Sequence, residues 1–320
     1  MILTLTPNPS LDRTIELPGR LERGEVQRAA AASAHPGGKG VNIVRALTAS
    51  GTAALALLPG DPGDDVVLAL GREEIPHLSL PIGAPLRSNV AITEPDGTTT
   101  KVNEPGPALS AAQLASLLKL AVEKSDGAAW LVLAGSLPPG APDDFYARVI
   151  AAVRATYGPD SPRIAVDSSG APLAASVAAS PDLLKPNAEE LAELTGIGDG
   201  PSLEADPFMA ASAAASLVER GVGAVLATLG SRGAVLVTAD GSWLAKGPVI
   251  AAKSTVGAGD SALAGYLLAS QRGDTPAECL QQAVAHGAAA ASLPGTLVPS
   301  LKQTHPADVA VTALTPVKEK

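Results

Sequence analysis

The amino-acid order predicts an α/β protein, with a mostly parallel central sheet covered by helices on both faces and a small β-rich lid. Three observations predict it. From Trp130 onward, short apolar runs of strand length alternate with longer segments of helical spacing, the pattern of β-α-β units. Gly-rich or polar stretches follow several of these strand runs, and open α/β sheets bind ligands at the carboxyl ends of their strands. Two extended regions, residues 13–34 and 86–105, interrupt the alternation and are expected to branch off as lid segments of one domain spanning 1–320.

Residues 2–6 read as a buried strand, ended by Pro7-Asn8-Pro9. Residues 14–17 and 26–33 are extended pieces around a charged connection. Pro36-Gly37-Gly38-Lys39-Gly40 then opens a helix carrying Val41, Ile43, Val44 and Leu47. Residues 53–58 form a core strand, followed by a short helix. Residues 88–93 and 98–103 flank Pro95-Asp96-Gly97, a hairpin signal. Ser110 with Gln113 is a capping box for a helix reaching about residue 124. Strands are expected at 130–134, 163–167, 183–185 and 224–228, with helices over 143–157, 188–195 and 207–220. Residues 234–238 and 242–246 pair around Asp240-Gly241 as a hairpin at the sheet edge. The last two helices begin near residues 258 and 276, and the end after Thr315 is expected to fray.

Hydrophobic residues make up 46% of the 320 residues, enough for a large core, but aromatics are only 2%, so Ala, Val, Leu and Ile must build it. A net charge of −9 argues against nucleic-acid or anionic-membrane partners, while leaving room for a small anion held by local cations. Cys279 is the only cysteine, which excludes an intrachain disulfide and a thiolate metal cluster. His35, His77, His286 and His305 are too scattered to form a metal-ligand pair. The chain opens directly on a strand pattern without an export signal, and a cytoplasmic protein is expected.

Chemistry concentrates in a few stretches. In Ser254-Thr255-Val256-Gly257-Ala258-Gly259-Asp260-Ser261, two glycines precede a helix, gathering backbone N–H groups at its positive end. Asp260 would repel a phosphate as a ligand but suits a general base for a hydroxyl attacking phosphorus. The alternative is a Gly-rich turn with an N-cap Asp. Lys39 among glycines suits a ligand phosphate, or is a solvated turn lysine. Neither a Walker A loop nor a Rossmann fingerprint is present. Asn187 and Glu190 share a helix face and could organise Mg²⁺, or act as N-cap and first-turn acid. Asp12, Arg87 and the turn holding Thr228, Gly230 and Gly233 are weak signals singly, and gain weight from clustering at strand ends and helix starts.

The chain resembles the ribokinase-like sugar kinases of the phosphofructokinase B family. The resemblance rests on Thr6-Pro7-Asn8-Pro9-Ser10-Leu11-Asp12, Pro36-Gly37-Gly38-Lys39-Gly40-Val41-Asn42 and Gly135-Ser136-Leu137-Pro138-Pro139-Gly140. It continues through Asp167-Ser168-Ser169-Gly170, Lys185-Pro186-Asn187-Ala188-Glu189-Glu190-Leu191 and residues 254–261, in family order and nearly end to end. Residues 8–14 together with G-G-K-G-V-N are most similar to members that phosphorylate fructose 1-phosphate. Members acting on tagatose 6-phosphate or fructose 6-phosphate are the nearest alternatives. A non-catalytic sugar-phosphate-binding protein would be favoured by loss of Asp260 or the Gly-rich pocket, and both are intact.

The resemblance implies a three-layer αβα sandwich, ATP as co-substrate, Mg²⁺, and a homodimer through the lid, in fructose metabolism and glycolysis. It implies Asp260 as general base, with Gly257, Ala258 and Gly259 holding charge on the moving phosphoryl group. Asp12, Gly38 and Asn42 would contact sugar hydroxyls, and Lys39, Arg87 and Asn103 the phosphate already on the sugar. Lys185, Asn187, Thr228, Gly230 and Gly233 would line the nucleotide, with Asn187 and Glu190 toward the metal. Ala91 and Glu25 stand where relatives often carry a basic residue, a departure confined to the substrate-phosphate end.

Overall fold

The computed structural model describes residues 1–314; the end after Thr315 lies outside the described residues. The strands of the large sheet are β1 (Ile2–Leu5), β4 (Ala54–Pro59), β5 (His77–Leu80), β8 (Trp130–Ala134), β9 (Arg163–Asp167), β10 (Leu183–Leu184), β11 (Ala224–Thr228), β12 (Ala234–Thr238), β13 (Gly241–Lys246) and β14 (Ala310–Ala313). Their spatial order is β14-β13-β12-β11-β10-β9-β8-β1-β4-β5. From β11 to β5 every pairing is parallel, and β12, β13 and β14 add an antiparallel flank.

Strand period decides which helices cover which face. Ile2, Trp130, Val132 and Ala134 point into a core shared with α1 (Lys39–Ala49), α2 (Asp65–Arg72), α9 (Ala258–Arg272) and α10 (Pro276–Ala291). Leu3, Leu5, Leu131 and Leu133 point the other way, to α3 (Ala111–Lys124), α4 (Phe145–Tyr157), α5 (Gly170–Val177), α6 (Ala188–Thr195), α7 (Gly200–Ala205) and α8 (Pro207–Glu219). The result is a ribokinase-like αβα sandwich. Aliphatic residues dominate both cores, yet Trp130 and Tyr146 are among the largest fully buried side chains. The Tyr146 hydroxyl is satisfied by donating to Gly135 O at 2.9 Å.

A second sheet, in the order β3-β2-β6-β7, comprises β2 (Ser10–Glu16), β3 (Ala31–Gly37), β6 (Arg87–Thr93) and β7 (Thr99–Asn103). β2 and β6 are parallel, and β3 and β7 pair antiparallel on the outside. The extended pieces expected at 14–17 and 26–33 are therefore shifted. The first begins at Ser10, because β2 is gripped from both sides, and the second begins at Ala31 and runs through Pro36. Proline is tolerated there because β3 is an edge strand.

Other departures have local causes. The β12–β13 hairpin is not the sheet edge, since β14 adds beyond it. β5 is a short run between Pro76 and Pro81 that carries little strand signal. α5 and α7 each carry a proline in the first turn beside glycine, which reads as a turn in sequence but is compatible with a helix start. No helix among the described residues is long and apolar enough to cross a membrane.

Candidate active site

The predicted chemistry lies along the carboxyl ends of the parallel strands, where the helix starts of α1, α6 and α9 meet. Gly257 is the N-cap of α9 with φ 75°, a left-handed geometry that favours glycine. No side chain caps this helix, so Asp260 is not an N-cap residue. Ala258 N donates to Thr255 O at 3.4 Å, and the next N–H groups of the first turn, Gly259 and Asp260, stay available for an anion.

Asp260 is buried, and its Oδ2 accepts from Asn42 Nδ2 at 2.8 Å. Burial, reinforced by the nearby Asp167 carboxylate, pushes the Asp260 carboxyl up to about 6, against the opposing pull of Asn42, Lys39 and Lys185. A carboxylate tuned toward neutrality is suited to accept a proton near pH 7. Asn42 Oδ1 is buried and lacks a protein partner. It is a spare acceptor beside the base.

Asp167, at the carboxyl end of β9 and fully buried, organises the cations. Its Oδ1 receives Lys39 Nζ at 2.6 Å, and Lys185 Nζ lies 3.1 Å from Oδ2 as an ion pair without aligned hydrogen-bond geometry. Burial would raise the Asp167 carboxyl, but Lys185 and Lys39 outweigh it and hold the carboxyl below its ordinary range. Burial likewise works against the Lys39 ammonium. Asp167, Glu190 and Asp260 together outweigh that and keep it charged. Sequence reasoning missed Asp167 as a site residue, although its position in Asp167-Ser168-Ser169-Gly170 at a strand end was an available signal.

Asn187 and Glu190 form a reciprocal capping box at the start of α6. Glu190 Oε2 accepts from Asn187 N at 2.9 Å, and Asn187 Oδ1 accepts from Glu190 N at 2.8 Å. The geometry is that of the N-cap reading, and Glu190 Oε1, outside the capping bonds, lies 3.9 Å from Lys39 Nζ. Among the described residues no group of three His, Cys, Asp or Glu side chains is placed to hold a metal ion. A single carboxylate oxygen fits Mg²⁺ that takes its other ligands from phosphates and water. Asn187 is bridged to Thr228, and Thr228 N donates to Pro186 O at 3.0 Å, so Asn187, Thr228 and the Gly230–Gly233 turn lie side by side. An added Cβ on Gly259 would stand 3.4 Å from Lys185 Nζ, which brings Lys185 against the α9 start.

The small sheet supplies the other end. Asp12 is in the middle of β2, and its Oδ1 accepts from Ser10 Oγ at 2.7 Å and Asn89 Nδ2 at 2.9 Å. Gly37 lies so close that a Cβ there would overlap the Asp12 carboxylate. Gly38, with φ 112°, is the N-cap of α1 and starts the helix that carries Lys39 and Asn42. Arg87 donates from Nε and Nη2 to Asn8 O at 3.2 and 3.0 Å, and from Nη1 to Glu104 O at 3.1 Å. It therefore anchors the root of β6 while two of its five N–H donors remain. Asn103 is the register partner of Asn89 and is exposed. Burial acts on Arg87 first, followed by Asp12 and Glu104, whereas Lys39 responds to Asp167, Glu190 and Asp260. Lys39 is engaged by Asp167 and Glu190, whereas Arg87 is engaged by the backbone carbonyls of Asn8 and Glu104. Asn89, also missed, joins Asp12.

This arrangement coincides with a family match: residues 6–303 fit the model of the pfkB family carbohydrate kinases. The chain belongs to that family. It is 36% identical over 305 residues to a 1-phosphofructokinase of Haloferax volcanii, covering 94% of each chain. It is 33% identical over 301 residues to the ATP-dependent 6-phosphofructokinase isozyme 2 of Mycobacterium tuberculosis, covering 92% of this chain and 85% of the relative. Among solved structures, phosphofructokinase-2 from Escherichia coli in complex with substrates and products superposes with a TM-score of 0.85 at 31% identity, covering 94% of this chain and 96% of that one. Ribokinase from Thermotoga maritima shares the fold at TM-score 0.72 and 18% identity, covering 95% of this chain and 97% of that one. The family is one of carbohydrate kinases, which implies ATP as the co-substrate.

Proposed function

We propose that the chain transfers the γ-phosphoryl of ATP to the C6 hydroxyl of D-fructose 1-phosphate, giving fructose 1,6-bisphosphate and ADP. The observation that carries the reading is Asp260: a buried carboxylate, held by Asn42 at 2.8 Å, in the first turn of an uncapped helix. Asp260 takes the hydroxyl proton as the oxygen attacks. The Gly259 N–H at the start of α9, with Lys39 and Lys185, stabilises charge on the transferring group. Lys39 serves the phosphoryl group that moves, since its partners are Asp167, Glu190 and Asp260. Arg87, with its two remaining donors, and Asn103 serve the phosphate that stays, while Asp12, Asn89 and Gly38 position the sugar.

Asn187, Thr228, Gly230 and Gly233 line the nucleotide. Glu190 would hold Mg²⁺, which would supply neutralisation of charge on the nucleotide phosphates. The sheet of β2, β3, β6 and β7 acts as a lid excluding water. Its other face alternates Ile15, Val90, Ile92 and Val102, the last 58% exposed, and an apolar sheet face of that kind supports a homodimer through the lid. Such an enzyme would work in the cytoplasm in fructose metabolism and glycolysis.

The 1-phosphate acceptor is supported by the 36%-identical 1-phosphofructokinase. A second reading, a 6-phosphate acceptor, is supported by the 33%-identical 6-phosphofructokinase isozyme. Comparing kcat/KM for fructose 1-phosphate, fructose 6-phosphate and tagatose 6-phosphate decides. A preference for fructose 1-phosphate is expected, and a preference for either 6-phosphate overturns the assignment.

A further inference from the structure

One of the ties between the small sheet and the body of the molecule runs through a buried cation. Arg45, in α1 and only 8% exposed, donates from Nη1 to Thr296 O at 3.1 Å. Its Nη2 lies 3.2 Å from Glu73 Oε2. Glu73 is the C-cap of α2, and its other oxygen, Oε1, accepts from His35 Nδ1 at 2.8 Å. His35 is in β3, directly across from Asp12 in register. One carboxylate thus joins the helix that carries Lys39 and Asn42 to the edge strand beside Asp12.

That connection has a geometric consequence. The β3 backbone at Gly37, two residues beyond His35, closes over the Asp12 carboxylate so tightly that a Cβ would overlap it. Any displacement of β3 therefore displaces Asp12 or uncovers it. The other ion pair between this ribbon and α2, Arg13 with Asp65, spans 4.0 Å between two exposed side chains and restrains little.

We propose that Arg45, Glu73 and His35 form a positioning relay that fixes β3, and through it Asp12, at the height from which Asp12 meets the sugar. The relay touches neither the reacting atoms nor the nucleotide, so it acts on sugar binding alone. It rests on the reading above in placing Asp12 at the sugar.

The test uses Glu73 and His35, since Arg45 is buried and its removal could unfold the chain. Glu73→Ala and His35→Ala are each expected to raise KM for the sugar phosphate about 5–10-fold, with kcat and KM for ATP within about twofold. The double variant should be no worse than Glu73→Ala, because both substitutions break one connection. His35→Gln, which keeps a donor of similar reach, should recover most of the loss. Hydrogen exchange supplies a readout independent of any substrate: amides of residues 31–37 should exchange faster in Glu73→Ala, with α1 unchanged. Equal shifts in both KM values with a lowered Tm, additive losses in the double variant, or unchanged exchange over 31–37 would each overturn the relay. If the wild type phosphorylates no sugar phosphate, the functional reading fails and the exchange measurement alone decides the relay.

Discussion

Asn42 and Asp260, 218 positions apart, are joined by a buried hydrogen bond of 2.8 Å from Asn42 Nδ2 to Asp260 Oδ2. The bond links the first turns of α1 and α9, so the two helix starts to which the proposed function assigns the sugar and the moving phosphoryl group share a fixed geometry. It also orients a carboxylate that burial alone would leave unconstrained.

Asp260→Asn is expected to lower kcat by about 10²–10⁴-fold with KM changed only a few-fold. The same substitution should stabilise the fold. The Asp260 carboxyl is raised from 3.8 to about 6, so the native state holds a proton that the unfolded chain has released. Stability therefore falls as pH rises through that window, and above it the full penalty is present. Removing it should contribute roughly 1–3 kcal/mol at pH 7. Paired activity and urea-denaturation measurements check both halves, and a less stable, fully active variant would contradict them.

The acid limb of kcat/KM for the sugar phosphate should titrate near pH 6, with activity lost as Asp260 protonates. Asp167→Asn should move that limb to lower pH. It removes a like charge and leaves Lys39 and Lys185 to favour ionised Asp260. It should also destabilise the protein by about 2–4 kcal/mol, since the buried Lys185 and the half-buried Lys39 lose their counter-ion. A limb that stays in place would show that Asp167 does not set the base.

Lys39→Met and Arg87→Lys should have opposite kinetic signatures. The first removes charge stabilisation from the transferring group and should cost about 10²-fold or more in kcat, with KM for the sugar phosphate within about threefold. The second exchanges a planar fork for a point charge at the lid root and should raise that KM about 10-fold with little change in kcat. Steady-state kinetics with each substrate varied separates the two.

Gly37→Ala adds one methyl group where the Asp12 carboxylate lies. The backbone of residue 37 is not left-handed, so the fold should be nearly unaffected. KM for the sugar phosphate is expected to rise about 10-fold or more, with Tm little changed. A lowered Tm with unchanged KM would mean that β3 yields instead of Asp12.

Much of the sheet was legible because its strands announce themselves locally. Residues 130–134 and 163–167 are apolar runs of strand length, and β8 and β9 occupy those residues. The capping boxes of Ser110 and Asn187 were legible for the same reason, since each is complete within four consecutive residues. β5, β14 and the true extents of β2 and β3 were not. Their signal comes from the neighbours they pair with, and a short strand flanked by proline carries almost none by itself.

The sequence by itself determined the fold family and the order of the motifs, and it singled out Asp260 as the proposed base, because glycines before a helix and an acid in its first turn suggest an anion site without reference to anything distant. Only the tertiary structure decided which charges face one another. It paired Lys39 with Asp167, 128 positions away, and set Asn89 against Asp12. It also showed the Asn187 oxygen accepting from Glu190 N of its own helix. The physical reason is range: a capping box or a left-handed glycine is a property of adjacent residues, whereas an ion pair and the burial that tunes it depend on how strands separated by whole β-α-β units line up at one edge of a sheet.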